Sequence, residues 1–147
     1  MKVISLILLT IFLGKGCNDE KKQDMQTAAI EYTANTRGYF RKVVIQDQTA
    51  TISKDRDGNE KPESIKINAT DWNQLIGLFQ DIDLDEIPNL KAPSEKRFYD
   101  GAAIAGLKII YKGKNFESVN FDHGNPPVEI EKLVSKITSF IKKNNDD

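Results

Sequence analysis

Arg97, Tyr99, Asp100, Asp122 and His123 carry the side chains in this chain best able to do chemistry, and they lie beside two turns that a hairpin would bring together. His123 is the only histidine. An aspartate beside it would tune the imidazole as a general base, while Arg97 and Tyr99 could hold an anionic ligand. The competing reading spends the same side chains on structure. Asp100-Gly101 and Gly124-Asn125 become turns, Arg97 pairs with a carboxylate, and His123 bonds a backbone carbonyl. The five are therefore candidate binding residues, and no residue is assigned a catalytic role.

Metal and cofactor chemistry finds less support. Asp81, Asp83 and Asp85 alternate like the start of a calcium loop, but Glu86 stands where glycine is needed and Ala92 where a closing Glu is needed. Asp55, Asp57 and Gly58 come nearer, yet the first and twelfth positions of that frame are Ser53 and Ser64. Both stretches read as exposed turns. One His and one Cys make no zinc set, and no GxSxG, phosphate-cradling glycine loop or HExxH is present. No metal and no cofactor is expected.

The elements that must position the five residues begin with strands. Residues 29–34, 39–46, 49–54 and 64–68 are rich in aromatic and β-branched types and are separated by turn-like stretches, one holding Asp57-Gly58. A helix follows, with Thr70 expected as N-cap and Trp72, Leu75, Ile76 and Phe79 on one face. Leu84, Ile87 and Leu90 line an irregular return closed by Pro88.

Residues 102–111 form the strongest strand candidate. Ala103, Ala105, Leu107, Ile109 and Tyr111 share one face, and apolar Ile104 and Ile110 on the other predict a central strand covered in part on both faces. A three-residue connection near Gly113 is expected, because it would put Val119 and Phe121 on the face of Leu107 and Ile109. Any plausible register then returns Asp122, His123 and Gly124 to the start of the 102–111 strand, beside Asp100 and Gly101. A last helix is capped by Asn125, starts at Pro126 and carries the stripe Ile130, Leu133, Val134, Ile137, Phe140 and Ile141. The order ββββ-α-ββ-α predicts an α+β domain, an antiparallel sheet with its helices packed on one face.

Residues 3–13 are an apolar run too short to cross a bilayer as a helix but suited to a signal-peptide core. A small residue, Gly16, then precedes Cys17, the only cysteine. This arrangement resembles the lipobox of bacterial lipoproteins, which implies lipidation of Cys17 and removal of residues 1–16. Residues 17–26 read as the lipidated cysteine and a flexible tether, and 27–145 as a single domain. Acidic residues directly after Cys17 resemble the export signals of surface lipoproteins in Bacteroidota-type bacteria. Removing the leader takes Lys2 and Lys15 from 21 basic residues, leaving 19 against 22 acidic ones, a formal charge of −3. Such a surface does not steer toward nucleic acid.

Residues 36–40 (TRGYF), 93–105 (PSEKRFYDGAAIA) and 121–127 (FDHGNPP) together resemble stretches of small lipoproteins of flavobacterial-type bacteria. The resemblance implies an address and a fold and no activity. The expectation is a monomeric, non-catalytic domain of the cell envelope, anchored by lipid on Cys17 to the periplasmic face or the outer-membrane surface and binding a protein, peptide or glycan partner. The alternatives are a small hydrolase or ligand-binding enzyme using Arg97, Asp100, Asp122 and His123, and an inhibitor of an envelope enzyme, which would present an exposed aromatic loop around Phe98 and Tyr99.

Overall fold

The structure, a computed structural model, describes residues 23–143. The leader, Cys17 and the first part of the expected tether lie outside the described residues. Within 17–26, Met25 is buried at 1% exposure, Gln23 Nε2 donates to Ile82 O, and the Asp24 N–H donates to the Tyr111 hydroxyl. Gln23, Asp24 and Met25, within the stretch expected as tether, are thus held against the packed body.

The fold is α+β. Four strands, β1 (Ala29–Thr36), β2 (Tyr39–Gln46), β3 (Thr49–Ser53) and β4 (Glu63–Lys66), form an antiparallel meander. After helix α1 (Ala69–Gln80), strand β5 (Ile104–Tyr111) adds to the free side of β1, and β6 (Lys114–Glu117) and the short β7 (Phe121–Asp122) both pair with β5. The sheet order is β4-β3-β2-β1-β5-β6. Helix α2 (Glu131–Lys143) closes the chain.

Alternation along the strands explains which face the helices cover. Ile30, Tyr32, Val43, Ile45, Ala50, Ile52, Leu107 and Ile109 are buried on one face beneath Leu75, Phe79, Leu133, Ile137 and Phe140 of the helices. The opposite face carries Glu31 paired with Lys42 at 3.1 Å and Lys108 with Glu117 at 3.5 Å. On that face of β5 Ile104 is 42% and Ile110 37% exposed, and cover is confined to the start of the strand, where Asp122 opposite Ile104 is 1% exposed.

The helix starts also differ. Asn68, not Thr70, caps α1, its Oδ1 accepting from Asp71 N at 2.8 Å. Asn125 caps nothing: the chain passes through a 3-10 turn at Val128–Ile130 before α2, and the Asn125 amide donates to Ser94 Oγ at 2.7 Å. All six residues of the predicted apolar stripe on the last helix are buried. The two helices are tied by Asp71, which receives Lys136 Nζ at 2.6 Å and Lys143 Nζ at 2.9 Å. Those two bonds hold its carboxyl down at about 2 against the opposing effect of burial.

The connection after β5 is Lys112-Gly113, two residues rather than three, with φ of 49° and 75° as a type I′ turn requires. With that turn alone, Ile109 facing Phe116 would set Ala105 against Asn120, yet Ala105 faces Phe121. One extra residue in the 118–120 stretch makes the difference, a bulge. Ser118 fills the break, its N–H donating to Leu107 O at 2.9 Å and its hydroxyl accepting from Leu107 N at 3.0 Å. Phe121 thereby reaches the buried face at 0% exposure, while Val119 stays 41% exposed.

Candidate functional site

The bulge sets the site, because it decides which way Asp122 and His123 point. Asp122 pairs with Ile104 on the open side of the sheet and is 1% exposed. Its carboxylate is covered by the loop that carries the 3-10 turn Lys96–Tyr99. Oδ2 accepts from Ser94 Oγ at 2.5 Å and Lys96 N at 2.8 Å; Oδ1 accepts from Arg97 N at 2.9 Å and Arg97 Nη1 at 3.2 Å. The same Nη1 donates to Ser94 O at 2.6 Å. Burial pushes this carboxyl up, but the bonds from Ser94, Arg97 and Lys96 outweigh it and hold the group well below the usual carboxylate range. A permanently charged acceptor of this kind is a clamp, since every lone pair direction it offers is used within the chain.

The clamp fixes the base of the loop and leaves its tip outside. Phe98 and Tyr99 are each 71% exposed. The Arg97 guanidinium lies over the Phe98 ring at 4.3 Å, which orients that side chain from below. Asp100 follows in a left-handed conformation, φ 59°, and returns the chain to the sheet. A side chain on Gly101 would meet Lys96 and Tyr99 at 3.1 Å, so this return is tight.

His123 faces the other way. Its N–H donates to Ala103 O at 2.9 Å, and Nδ1 lies 2.7 Å from the Tyr32 hydroxyl. Burial, and secondarily Tyr39, raise the Tyr32 phenol above its ordinary value, and burial lowers the imidazole, so both groups are neutral at pH 7. Whichever of them donates in this bond, His123 Nε2 has no partner among the described residues. Tyr32 and Tyr39 bring their rings to 6.1 and 5.8 Å from the imidazole. Together these rings form one wall of a cleft of about 310 Å³ whose other wall is α2, with Val134, Thr138 and Lys142 facing in.

All five residues singled out from the sequence therefore sit at one end of the sheet, but they do not share a pocket. Arg97 and Asp122 are joined to each other, Tyr99 and Asp100 are exposed on the loop, and only His123 lines the cleft. Sequence reasoning missed Tyr32, Tyr39 and the α2 residues. Tyr39 and Arg41 alternate with the outward-facing positions of β2 in step with Val43 and Ile45, and that period of two is the signal that assigns them to the core side. The turn assignments fare well: both Asp55 oxygens accept backbone N–H groups of Asp57, Asn59 and Glu60, and Asp83 caps the 3-10 turn Leu84–Asn89.

No known family's model matches the chain, and no curated protein and no solved structure matches it significantly.

Proposed function

We propose that the protein is a non-catalytic binding domain of the cell envelope, tethered through lipid on Cys17, which presents the Phe98–Tyr99 loop to a protein partner. The observation that carries this reading is the pairing of a fully committed base with a bare tip. Asp122, 1% exposed, spends both carboxylate oxygens on Ser94, Lys96 and Arg97, and the two aromatic side chains just beyond stand 71% exposed. Ordering is then already complete before contact, and large aromatic side chains on a fixed backbone are the residues that dominate protein interfaces. A hydrolase using the same corner would need an aspartate within hydrogen-bond reach of the imidazole. The partner of His123 Nδ1 is instead Tyr32.

A photo-crosslinking residue placed at position 98 in the native envelope tests the reading. One defined protein adduct is expected, absent when the crosslinker sits at position 61 in the exposed loop before β4. Labelling of glycan alone, or equal labelling from both positions, would count against a protein partner. The same exposed aromatic tip fits the inhibitor alternative, and an adduct inside a partner's active-site cleft would favour it.

A further inference from the structure

We propose that the cleft between α2 and the Tyr32–Tyr39–His123 wall is a binding site for a small organic acid with a flat apolar body, an aromatic carboxylate being the simplest member of the class. This site is separate from the exposed loop and stands whether or not the loop binds a partner. Three features of the cleft select such a ligand.

The first is shape and surface. The cleft, about 310 Å³, falls at the lower end of the range of small-molecule sites, roughly 300 to 1,000 Å³. One wall is made by Tyr39 and His123, with the fully buried Tyr32 behind them, and the facing wall of α2 adds the largely buried Val134 and Ile141. The Tyr39 ring, half-buried and tilted 45° to the imidazole, offers a planar group a surface beside His123, with the fully buried Tyr32 ring behind.

The second is charge. The full chain has one more acidic than basic residue, yet among the described residues no carboxylate lines the cleft, whereas Lys142 does. Arg41 adds positive charge behind the wall. Its guanidinium lies 5.0 Å over the Tyr39 ring, and no carboxylate pairs with it among the described residues. Its Nε is buried without a hydrogen-bond partner. A site that avoids negative charge in an acidic protein favours an anion.

The third is hydrogen bonding. His123 Nε2 is unpartnered, and the Ser135 and Thr138 hydroxyls stand at the rim of the cleft. The Thr138 hydroxyl proton is spent on Ser135 O at 3.2 Å, whereas the Ser135 hydroxyl has no partner among the described residues and is free to donate to a carboxylate. Lys142 is exposed, so it meets the ligand's anionic group at the mouth, while the flat body lies against the rings.

The only histidine in the chain gives an unambiguous reporter. The full-length protein, kept in mild detergent, is titrated with benzoate and, separately, with its uncharged counterpart benzamide, following the ring proton resonances of His123 by NMR. Benzoate is expected to shift them saturably in the millimolar range, and benzamide to bind more weakly. Lys142→Met is expected to weaken benzoate about two- to fivefold, the size of one exposed ion pair, while Lys112→Met, at the far end of β5, changes nothing. Thr138→Phe, which fills the cleft from α2, abolishes the shift. Because Lys142 and Lys112 are both exposed, those variants fold, and a failure of Thr138→Phe to fold leaves the lysine comparison decisive. A shift that never saturates, or equal binding of benzoate and benzamide with no loss in Lys142→Met, overturns the proposal.

Discussion

Asp122 and His123 are consecutive residues that serve opposite sides of the sheet. The carboxylate gathers Ser94, Lys96 and Arg97 at 2.5 to 3.2 Å on the open side, and the imidazole meets the Tyr32 hydroxyl at 2.7 Å on the helix side. An aspartate next to a histidine in sequence invites a dyad reading, but Asp122 ends β7 and His123 opens the turn that follows, and the two side chains point apart. One chain position thus organises an exposed loop and the next organises a cleft.

Replacing Asp122 by Asn keeps its volume and removes the charge that four donors share. Amide exchange at Lys96 and Arg97 is expected to quicken about tenfold or more, the scale of losing one charge-assisted hydrogen bond. Exchange in β3, which is remote from the clamp, should be unchanged. Hydrogen-exchange mass spectrometry reads both in one experiment.

Acid should loosen the protein in two stages. Burial lowers the His123 pKa, so the unfolded chain takes that proton first and stability begins to decline below about pH 6.5. Asp71 and Asp122 have folded-state values below the ordinary carboxylate value, so their contributions are complete above about pH 4 and are lost as pH falls further. For Asp71 the loss runs down to about 2. Thermal melts across pH 2 to 8 are expected to show a shallow limb that disappears in His123→Asn and a steeper acid limb that remains. A stability maximum below pH 5 would contradict the histidine sign, and stability still rising as pH falls below about 3 would contradict the carboxylate sign.

The bulge makes two nearby apolar residues unequal. Phe121 is fully buried, and Phe121→Ala should cost about 3 to 5 kcal/mol. Val119 is 41% exposed, and Val119→Ala should stay within about 0.5 kcal/mol. Urea titration of the two variants measures the contrast. Similar costs would mean that the register after β6 is not the one described.

Lys112 and Gly113 hold positive φ, 49° and 75°, in the turn between β5 and β6. Lys112→Asn should raise the melting temperature slightly, since Asn tolerates that conformation better, and Gly113→Ala should cost about 1 kcal/mol.

The loop tip contributes little to folding. Phe98→Ala with Tyr99→Ala should leave the melting temperature nearly unchanged, because exposed side chains away from buried features cost about 0.5 kcal/mol or less. The same double variant should lose the crosslinked partner. A large fall in stability would mean that the two rings belong to the core and not to an interface.

Much of the architecture could be read from residue pattern. Strand β2 begins and ends where the alternation of its residues placed it, and the stripe from Ile130 to Ile141 is buried throughout, because period and apolarity agree there. The errors lie where two local signals compete. Asn68 and Thr70 are both good caps, and the accepted one is set by where β4 releases the chain. Ile104 and Ile110 are apolar yet more than a third exposed, a choice no periodicity reveals. Hairpin arithmetic brought Asp122 back to the start of β5, near Arg97, whereas the contact from Tyr32 to His123 spans 91 residues and depends on β5 joining β1, which local pattern does not encode.

The hydrogen bond from Asp24 N to the Tyr111 hydroxyl pins the start of the described chain to one end of β5, and the Phe98–Tyr99 tip projects from beyond the other. Eight residues of strand separate them, about 27 Å at the rise of an antiparallel strand. The body therefore works as a strut, with its first described residues held at one pole and the aromatic pair at the other.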